Sequence, residues 1–449
     1  MSELNQASFA SQTGDLRTFL ATINPKSLEG EGYHPSVEPR DCVIVMNIHV
    51  LPSSVELIRY LIFIGFNPDS IIIIPKIYST IPRAEERIAA LGCTIVRTCP
   101  EIFTPGYYDK YALKGLQKGV REARATCFEM SARRCILVDD GGFLTDHWSS
   151  MQKECDPFDA ISVQQTASGL YTHRSSAVRR INVASSAAKK YFESKIIVSG
   201  VMQKLSRLHM LSKPKNVAVI GLGRVGQAVA KGLRDGLHTL YTFDSKRDKE
   251  IPGVQPAASW QECVEKAEII IGCSGRNFMH FEVSDLFELG FRKKFVSLSS
   301  RDVEFKSLIL ADGRLLSDYP LRDLRIQAER KLSHLVLNGG FPINFDRKIE
   351  WETIEDISLT RGLVLIGILQ GLCVPLSHNR ATIEKLALRI QQELVSKWLL
   401  NKKQSSSDYD VSSEQFKSSR WWHAESGGTN YQGTWRRTSD EVRLYLREE

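Results

Sequence analysis

The chain has 449 residues, 42% of them hydrophobic and 25% charged, which are the proportions of an ordinary globular protein long enough for two or three domains. This excludes a largely disordered chain, a collagen-like chain and a small disulfide scaffold. Lys and Arg number 59 and Asp and Glu 52, and the surplus of +7 is too small on this length to indicate a nucleic-acid partner.

Residues 1–40 are polar, carry acids early and contain Gly30, Gly32 and Pro35. They read as an irregular leader with one short helix at most, not as a secretory signal. From Cys42 the texture becomes α/β. Cys42–Met46 and Ser70–Ile74 are short apolar runs on either side of a helical stretch, Ser54–Ile64, and Cys93–Val96 and Cys135–Val138 read as further strands. Such alternation predicts a mainly parallel sheet buried on both faces. A second alternating block runs from Asn216 to about Asn344. A helix is expected over Asp356–Leu372, and another from about Thr382 to Leu399. The longest apolar stretch, Gly362–Leu376, contains Gln370 and is short for a bilayer, so a buried helix and no membrane span are expected. From Asn401 the chain turns polar, but Trp421, Trp422, Tyr431 and Trp435 interrupt it. That composition predicts a partly ordered tail, packed on its own domain or docked on a protein partner. Nine scattered cysteines, none spaced Cys-x-x-Cys, signal neither a zinc site nor a redox dithiol. A reduced, cytoplasmic compartment fits them, and no metal is expected. No internal repeat is visible.

The predicted fold is therefore α/β, with two Rossmann-like doubly wound parallel-sheet domains followed by C-terminal helices and a polar, aromatic-bearing tail. The expected boundaries are a leader at 1–40, a substrate-type domain at 41–195 completed by helices in 350–400, a dinucleotide-binding domain at 196–349 and the tail at 400–449.

The most informative motif is Gly221-Leu222-Gly223-Arg224-Val225-Gly226, between the strand-like run Lys215–Ile220 and the helix-like Gln227–Lys231. In such a motif Gly221 makes the tight turn, Gly223 lets a pyrophosphate approach the backbone, and Gly226 lets helix and strand pack closely. The helix N-terminus offers its N–H groups to phosphate. The next strand, Thr239–Phe243, ends in Asp244, 21 residues after Gly223, where a carboxylate would meet the ribose hydroxyls of NAD. Asp244 disfavours a 2′-phosphate, although Lys246 and Arg247 follow it closely. Ala267–Gly272 leads into Cys273-Ser274-Gly275, a small-residue loop suited to lie over the nicotinamide half. Phe295–Leu298 leads into Ser299-Ser300-Arg301-Asp302.

Five segments in order resemble S-adenosyl-L-homocysteine hydrolase over about residues 41–372. They are His49; Ile77-Tyr78-Ser79-Thr80; Asp139-Asp140-Gly141-Gly142 with Leu144-Thr145; Gln164-Gln165-Thr166-Ala167-Ser168-Gly169; and Ile181-Asn182-Val183 with Lys189 and Phe192. The resemblance implies a hydrolase of one-carbon metabolism, a homo-oligomer, and NAD that oxidises a ribose 3′-hydroxyl, so that the neighbouring proton becomes acidic and the leaving group is eliminated. It implies that His49 and Asp140 serve acid/base steps and that Lys189 helps take the hydroxyl proton. Thr166 and Ser168 would lie at the nicotinamide, and Asn344 at its carboxamide. Several positions depart from that pattern. Gln165 stands where a ribose-binding glutamate is expected, and Glu193 and Ser194 replace an Asp-Asn pair. Val198 replaces a cysteine, Ser300 a histidine, Leu51 a threonine and Arg224 an aspartate. Losing one positioned acid or base costs about 10²–10⁴ in rate, so efficient hydrolysis of the usual substrate is not expected.

Each candidate also has a plain structural reading. His49 is equally a satisfied, partly buried histidine after a strand, and Asp140 an Asx turn. Lys189 and Glu193 form an i,i+4 pair. Three functions remain: an NAD-dependent enzyme acting on an adenosine-like or ribosyl ligand, a non-catalytic NAD-binding sensor or scaffold, and a 2-hydroxyacid dehydrogenase. The last would use Ser300-Arg301 and a histidine after a proline, but His334, His378 and His423 all lack that proline.

Overall fold

Short runs of β-branched residues, closed by polar turns, build two sheets. The computed structural model describes residues 16–405, apart from 24–25, 98–107, 154–155, 167–177, 235, 247–248, 279–291, 312–321, 328–332 and 377–381. In the first block β1 (Cys42–Ile48), α1 (Pro52–Phe63), β2 (Ile71–Pro75), α2 (Pro82–Ala90) and β3 (Thr94–Ile95) alternate. Then follow α3 (Tyr108–Glu129), β4 (Arg134–Asp139), α4 (Phe143–Met151), β5 (Asp159–Gln164) and β6 (Arg179–Asn182). The helix α5 (Ala187–Arg207) leads to the second block. There β7 (Asn216–Ile220), α6 (Arg224–Arg234), β8 (Thr239–Phe243), β9 (Gln255–Pro256), α7 (Trp260–Lys266) and β10 (Ile269–Gly272) are followed by β11 (Lys294–Ser297), α8 (Lys306–Ala311), β12 (Leu324–Gln327) and β13 (Ser333–Val336). The chain returns through α9 (Ile354–Cys373), β14 (Ile383–Lys385) and α10 (Leu388–Ser405).

The first sheet runs β14-β6-β5-β4-β1-β2-β3 and is parallel throughout. The second runs β12-β13-β11-β10-β7-β8-β9, parallel except where β12 meets β13. Both reverse direction beside their first strand, between β1 and β4 and between β7 and β10. This is the doubly wound Rossmann-like arrangement, and it opens a crevice at the carboxyl ends of those strands. The α/β class read from the sequence is the fold observed.

Full burial of the central strands accounts for their unbroken apolar runs: every residue of β1 and β4 is buried. α9 lies beneath the first sheet with hydrophobic residues on all sides. Its N-terminus is capped by the Thr353 hydroxyl, which accepts from Asp356 N–H. Its C-terminal carbonyls are satisfied by Arg134, which donates to Gly371 O at 2.6 Å while holding Asp159 in a bidentate pair. α9 is long and apolar enough to cross a membrane, but 94% of its most apolar window is buried in the protein, so it is a core helix.

Two expectations need correction. The stretch assigned to an irregular leader contributes to the core. Residues 16–21 are helical, and Leu16, Phe19, Leu20 and Ile23 pack in the main hydrophobic cluster. Their i, i+3, i+4, i+7 spacing is the signal that the polar average of the segment hides. Glu31 then accepts from Leu388 and Ile390 N–H at the start of α10. The helix expected from Thr382 begins at Leu388 instead, because Ile383–Lys385 pairs with β6 and Arg180 N–H donates to Thr382 O at 2.8 Å. The unpaired edge of β6 supplies a partner that local helix preference does not outweigh. The tail from 406 lies outside the described residues. The seven described cysteines are free thiols.

Candidate functional site

His49 follows β1 and Asp140 follows β4, so the reversal in the first sheet brings them together. His49 Nε2 lies 3.2 Å from Asp140 Oδ2, and His49 Nδ1 lies 2.7 Å from Ser79 Oγ. Phe345 stacks on the imidazole, with centroids 4.1 Å apart and planes 12° apart. Lys76 Nζ reaches the same Asp140 oxygen at 2.8 Å. Burial would raise the Asp140 pKa, but Lys76 and His49 hold the carboxyl well below the usual carboxylate range. Burial, reinforced by the Lys76 ammonium, pushes His49 down to about 4, so its ring is neutral near neutral pH. An ionised Asp140 favours the tautomer with Nε2–H, which leaves Nδ1 to accept from the Ser79 hydroxyl.

α5 enters the same cleft. Its N-cap Ser186 accepts from Lys189 N–H, and the first turns place the Lys189 and Glu193 side chains 3.0 Å apart. The Lys189 ammonium also donates to the Gln165 carbonyl oxygen. Farther along, α5 changes cores: Phe192 and Ile196 pack under the first sheet, and Val198, Val201 and Leu205 pack against the second. One rigid element therefore spans the two halves. Val198, which replaces a cysteine of the family pattern, belongs to this packing.

The second wall is the glycine turn. A Cβ on Gly221, whose φ is +95°, would lie 2.5 Å from Ser274 N, and one on Gly226 would lie 1.8 Å from Gly221 O. A Cβ on Gly223 would meet nothing within 4 Å. The outer two glycines are thus fixed by packing, whereas the middle one faces open space where a phosphate would fit. Arg224 is exposed on the first turn of α6, with Val225 beside it. Asp244 ends β8; its Oδ2 accepts from Leu222 N–H at 2.6 Å and its Oδ1 from Lys246 N–H at 2.8 Å. Burial opposes its ionisation, but those N–H groups and Lys249 hold its pKa below the usual value. These groups suit a dinucleotide: a glycine cradle open at Gly223, a helix N-terminus, a cation and a carboxylate at the next strand end.

A cavity of about 320 Å³ joins the two walls. Of the residues singled out from the sequence, His49, Leu51, Asp140, Gln165, Thr166, Lys189, Glu193, Ser194, Arg224, Val225, Ser300 and Asn344 line it. Asp244, Ser274 and the glycines Gly221, Gly223 and Gly226 do not. The Ser274 hydroxyl turns instead to the buried Glu304, at 2.8 Å. Ser168 lies outside the described residues. Asn344 donates through Nδ2 to Glu352 Oε1 at 2.8 Å. Burial lifts Glu352 to about 7. Behind it, Glu350 accepts from Ser53 N–H at 2.9 Å and pairs with Arg361 at 3.9 Å. The sequence reading missed Lys76, Glu352 and Arg361. Lys76 adjoins the Ile77–Thr80 segment, but nothing in its local pattern marks it. Glu352 and Arg361 are brought to the site by the return of the chain after β13. Among the described residues no cluster of His, Cys, Asp and Glu is arranged to hold a metal.

The fold and cleft define a two-sheet Rossmann-like α/β protein. No protein-family model matches the chain. It is 27% identical over 308 residues to an uncharacterised protein of Mycobacterium tuberculosis, found in strains CDC 1551 / Oshkosh and ATCC 25618 / H37Rv, with 68% of this chain aligned. The aligned chain spans 59% of the length of those relatives. Similar solved structures are a putative D-3-phosphoglycerate dehydrogenase from Ralstonia solanacearum (15% identity, 58% of this chain and 86% of that one, TM-score 0.31) and a 2-hydroxyacid dehydrogenase from Ketogulonicigenium vulgare Y25 (13%, 57% and 86%, TM-score 0.31). A third is an NAD-dependent formate dehydrogenase from Staphylococcus aureus in complex with NAD (12%, 74% and 93%, TM-score 0.31). These three are dehydrogenases, not hydrolases of S-adenosyl-L-homocysteine.

Proposed function

We propose that the protein binds NAD at the β7–α6 turn and acts on an adenosine-like or other ribosyl ligand in the cavity, by reversible oxidation of a ribose hydroxyl with a diverged leaving-group step. The observation that carries this reading is that Arg224 and Val225, within the glycine motif, and the His49–Asp140–Lys189 cluster line one cavity. When bound, NAD supplies a hydride acceptor. Gly221, Gly223 and Gly226 shape its cradle, Arg224 and the first turn of α6 meet the pyrophosphate, and Asp244 meets the adenosine ribose. Thr166 and Asn344 flank the nicotinamide end. Lys189, between the Gln165 carbonyl and Glu193, is placed to pass a ligand hydroxyl proton to Glu193. Gln165 offers the ligand a neutral amide in place of a carboxylate, and Ser300 offers no imidazole, so cleavage of the usual thioether substrate is slow.

A second reading, a non-catalytic NAD-binding sensor, is favoured by Gln165 and Ser300, which line the cavity where the resemblance implies a glutamate and a histidine. Against the hydroxyacid reading, Arg301 pairs with Asp109 at 2.7 Å and His334 accepts from Lys293 N–H within the second core. Mass spectrometry of the purified full chain tests the cofactor: NAD is expected, and the absence of any dinucleotide, confirmed by calorimetry, overturns the proposal. Incubation with adenosine should raise the NADH absorbance band, and Lys189→Ala should abolish that rise while keeping NAD. A band that stays flat with every nucleoside favours the sensor, and NADH consumption by a 2-oxo acid favours the hydroxyacid reading.

A further inference from the structure

The backbone of Lys76 is pinned at the end of β1, where its N–H donates to Ile48 O at 3.0 Å. Its carbonyl accepts from Ser79 N–H at 3.0 Å and from Thr80 Oγ1 at 2.9 Å. The side chain is thereby aimed at Asp140, and both residues are buried. We propose that Lys76 is a positioning residue that fixes the protons of the neighbouring pair, keeping Asp140 ionised and His49 neutral, so that the pair enters a reaction as a base.

The argument is charge balance in a low-dielectric cluster. Asp140 is one buried negative charge. If Lys76 were absent, the nearest group able to balance it would be His49 itself, as an imidazolium 3.2 Å away. With the Lys76 ammonium at 2.8 Å the cluster is already neutral, and a second cation on the ring would be left over. The other groups facing the ring do not reverse this. Tyr78 stands edge-on with centroids 5.6 Å apart, Phe345 is apolar, and Arg361 from α9 adds positive charge. Across the cavity, Lys189 and Glu193 offset each other, and Glu352 has its carboxyl on Asn344. The pair therefore begins without a spare proton, unlike an Asp–His pair that starts as carboxylate and imidazolium and can donate. Which ligand proton it takes rests on the proposed function, whereas the proton count itself does not.

Histidine-labelled full-length protein, titrated by NMR, tests this, with the His49 signal assigned through His49→Gln. The wild-type midpoint should lie near 4. In Lys76→Met it should rise by about 2 units or more, and Lys76→Arg should hold it within about half a unit of wild type. A wild-type midpoint above about 6, or a folded Lys76→Met chain whose midpoint does not move, overturns the proposal. Should the methionine variant fail to fold by circular dichroism, Lys76→Gln, which keeps a hydrogen bond to Asp140 without the charge, is read by the same criterion. A chain that shows these midpoints but binds no dinucleotide loses the functional reading and keeps this one. A chain that reduces NAD with the His49 midpoint unmoved does the reverse.

Discussion

Glu352 shows what a single buried group does to the pH dependence of the whole chain. Its carboxyl lies on the cavity wall, bonded to Asn344, and burial lifts it from its ordinary 4.5 to about 7. Below the ordinary value both folded and unfolded chains hold the proton. Between 4.5 and 7 the unfolded chain releases it and the folded chain keeps it, so stability falls as pH rises, and the loss is complete above the folded value. Glu352→Gln removes this titration and keeps an acceptor for Asn344. At about pH 8 the variant should be more stable than wild type by roughly 1–3 kcal/mol, and near pH 4 the two should agree within about 0.5 kcal/mol. Urea unfolding at both pH values measures this, and a variant weaker than wild type at the higher pH contradicts it. Nothing adjacent in sequence marks Glu352. Its rise comes from burial, with Glu350 adding to it and Asn344 and Arg361 opposing it, and that burial exists only in the folded chain.

At the scale of elements, the β7–α6 turn is the part most legible in the sequence, because its glycines answer to local backbone geometry. The three positions are not equivalent. Gly226→Ala drives a methyl group into Gly221 O and should cost about 2–4 kcal/mol of stability. Gly223→Ala meets no atom and should leave stability within about 0.5 kcal/mol, yet it fills the space reserved for a phosphate and should weaken dinucleotide binding at least about tenfold. Thermal unfolding and calorimetry on the two variants separate these effects, and equal destabilisation by both would refute the distinction. Elements whose identity depends on distant partners are less legible. Ile383–Lys385 becomes a strand because β6 has a free edge, and 16–21 becomes a core helix because Leu16, Phe19, Leu20 and Ile23 find the main hydrophobic cluster to pack in.

For the molecule as a whole, the cleft depends on how the two sheets are held. α5 crosses between the cores, and an aromatic seam closes the other side: Tyr78 from the first half stacks on Phe341 from the second, with centroids 5.0 Å apart, and Tyr108 stands edge-on to both. Ile77, Tyr78 and Tyr108 accordingly pack with the second sheet's core. Phe341→Ala removes a fully buried ring and should cost about 3–5 kcal/mol. Because the seam lies beside Phe345 and His49, it should also speed amide hydrogen exchange across 337–345, read by mass spectrometry. Exchange left unchanged there would mean that the seam does not hold the cleft.

By itself the sequence determined the α/β class, most strand positions and the glycine turn, and singled out His49 and Asp140 as separate candidates, because period, turn chemistry and short motifs are encoded within a few residues of one another. Only the tertiary structure decided that Lys76 neutralises Asp140, that Glu352 and Arg361 reach the cavity, and that the polar-looking leader seals the core. Those outcomes depend on burial and charge balance among residues far apart along the chain, and neither quantity exists until the sheets have folded together.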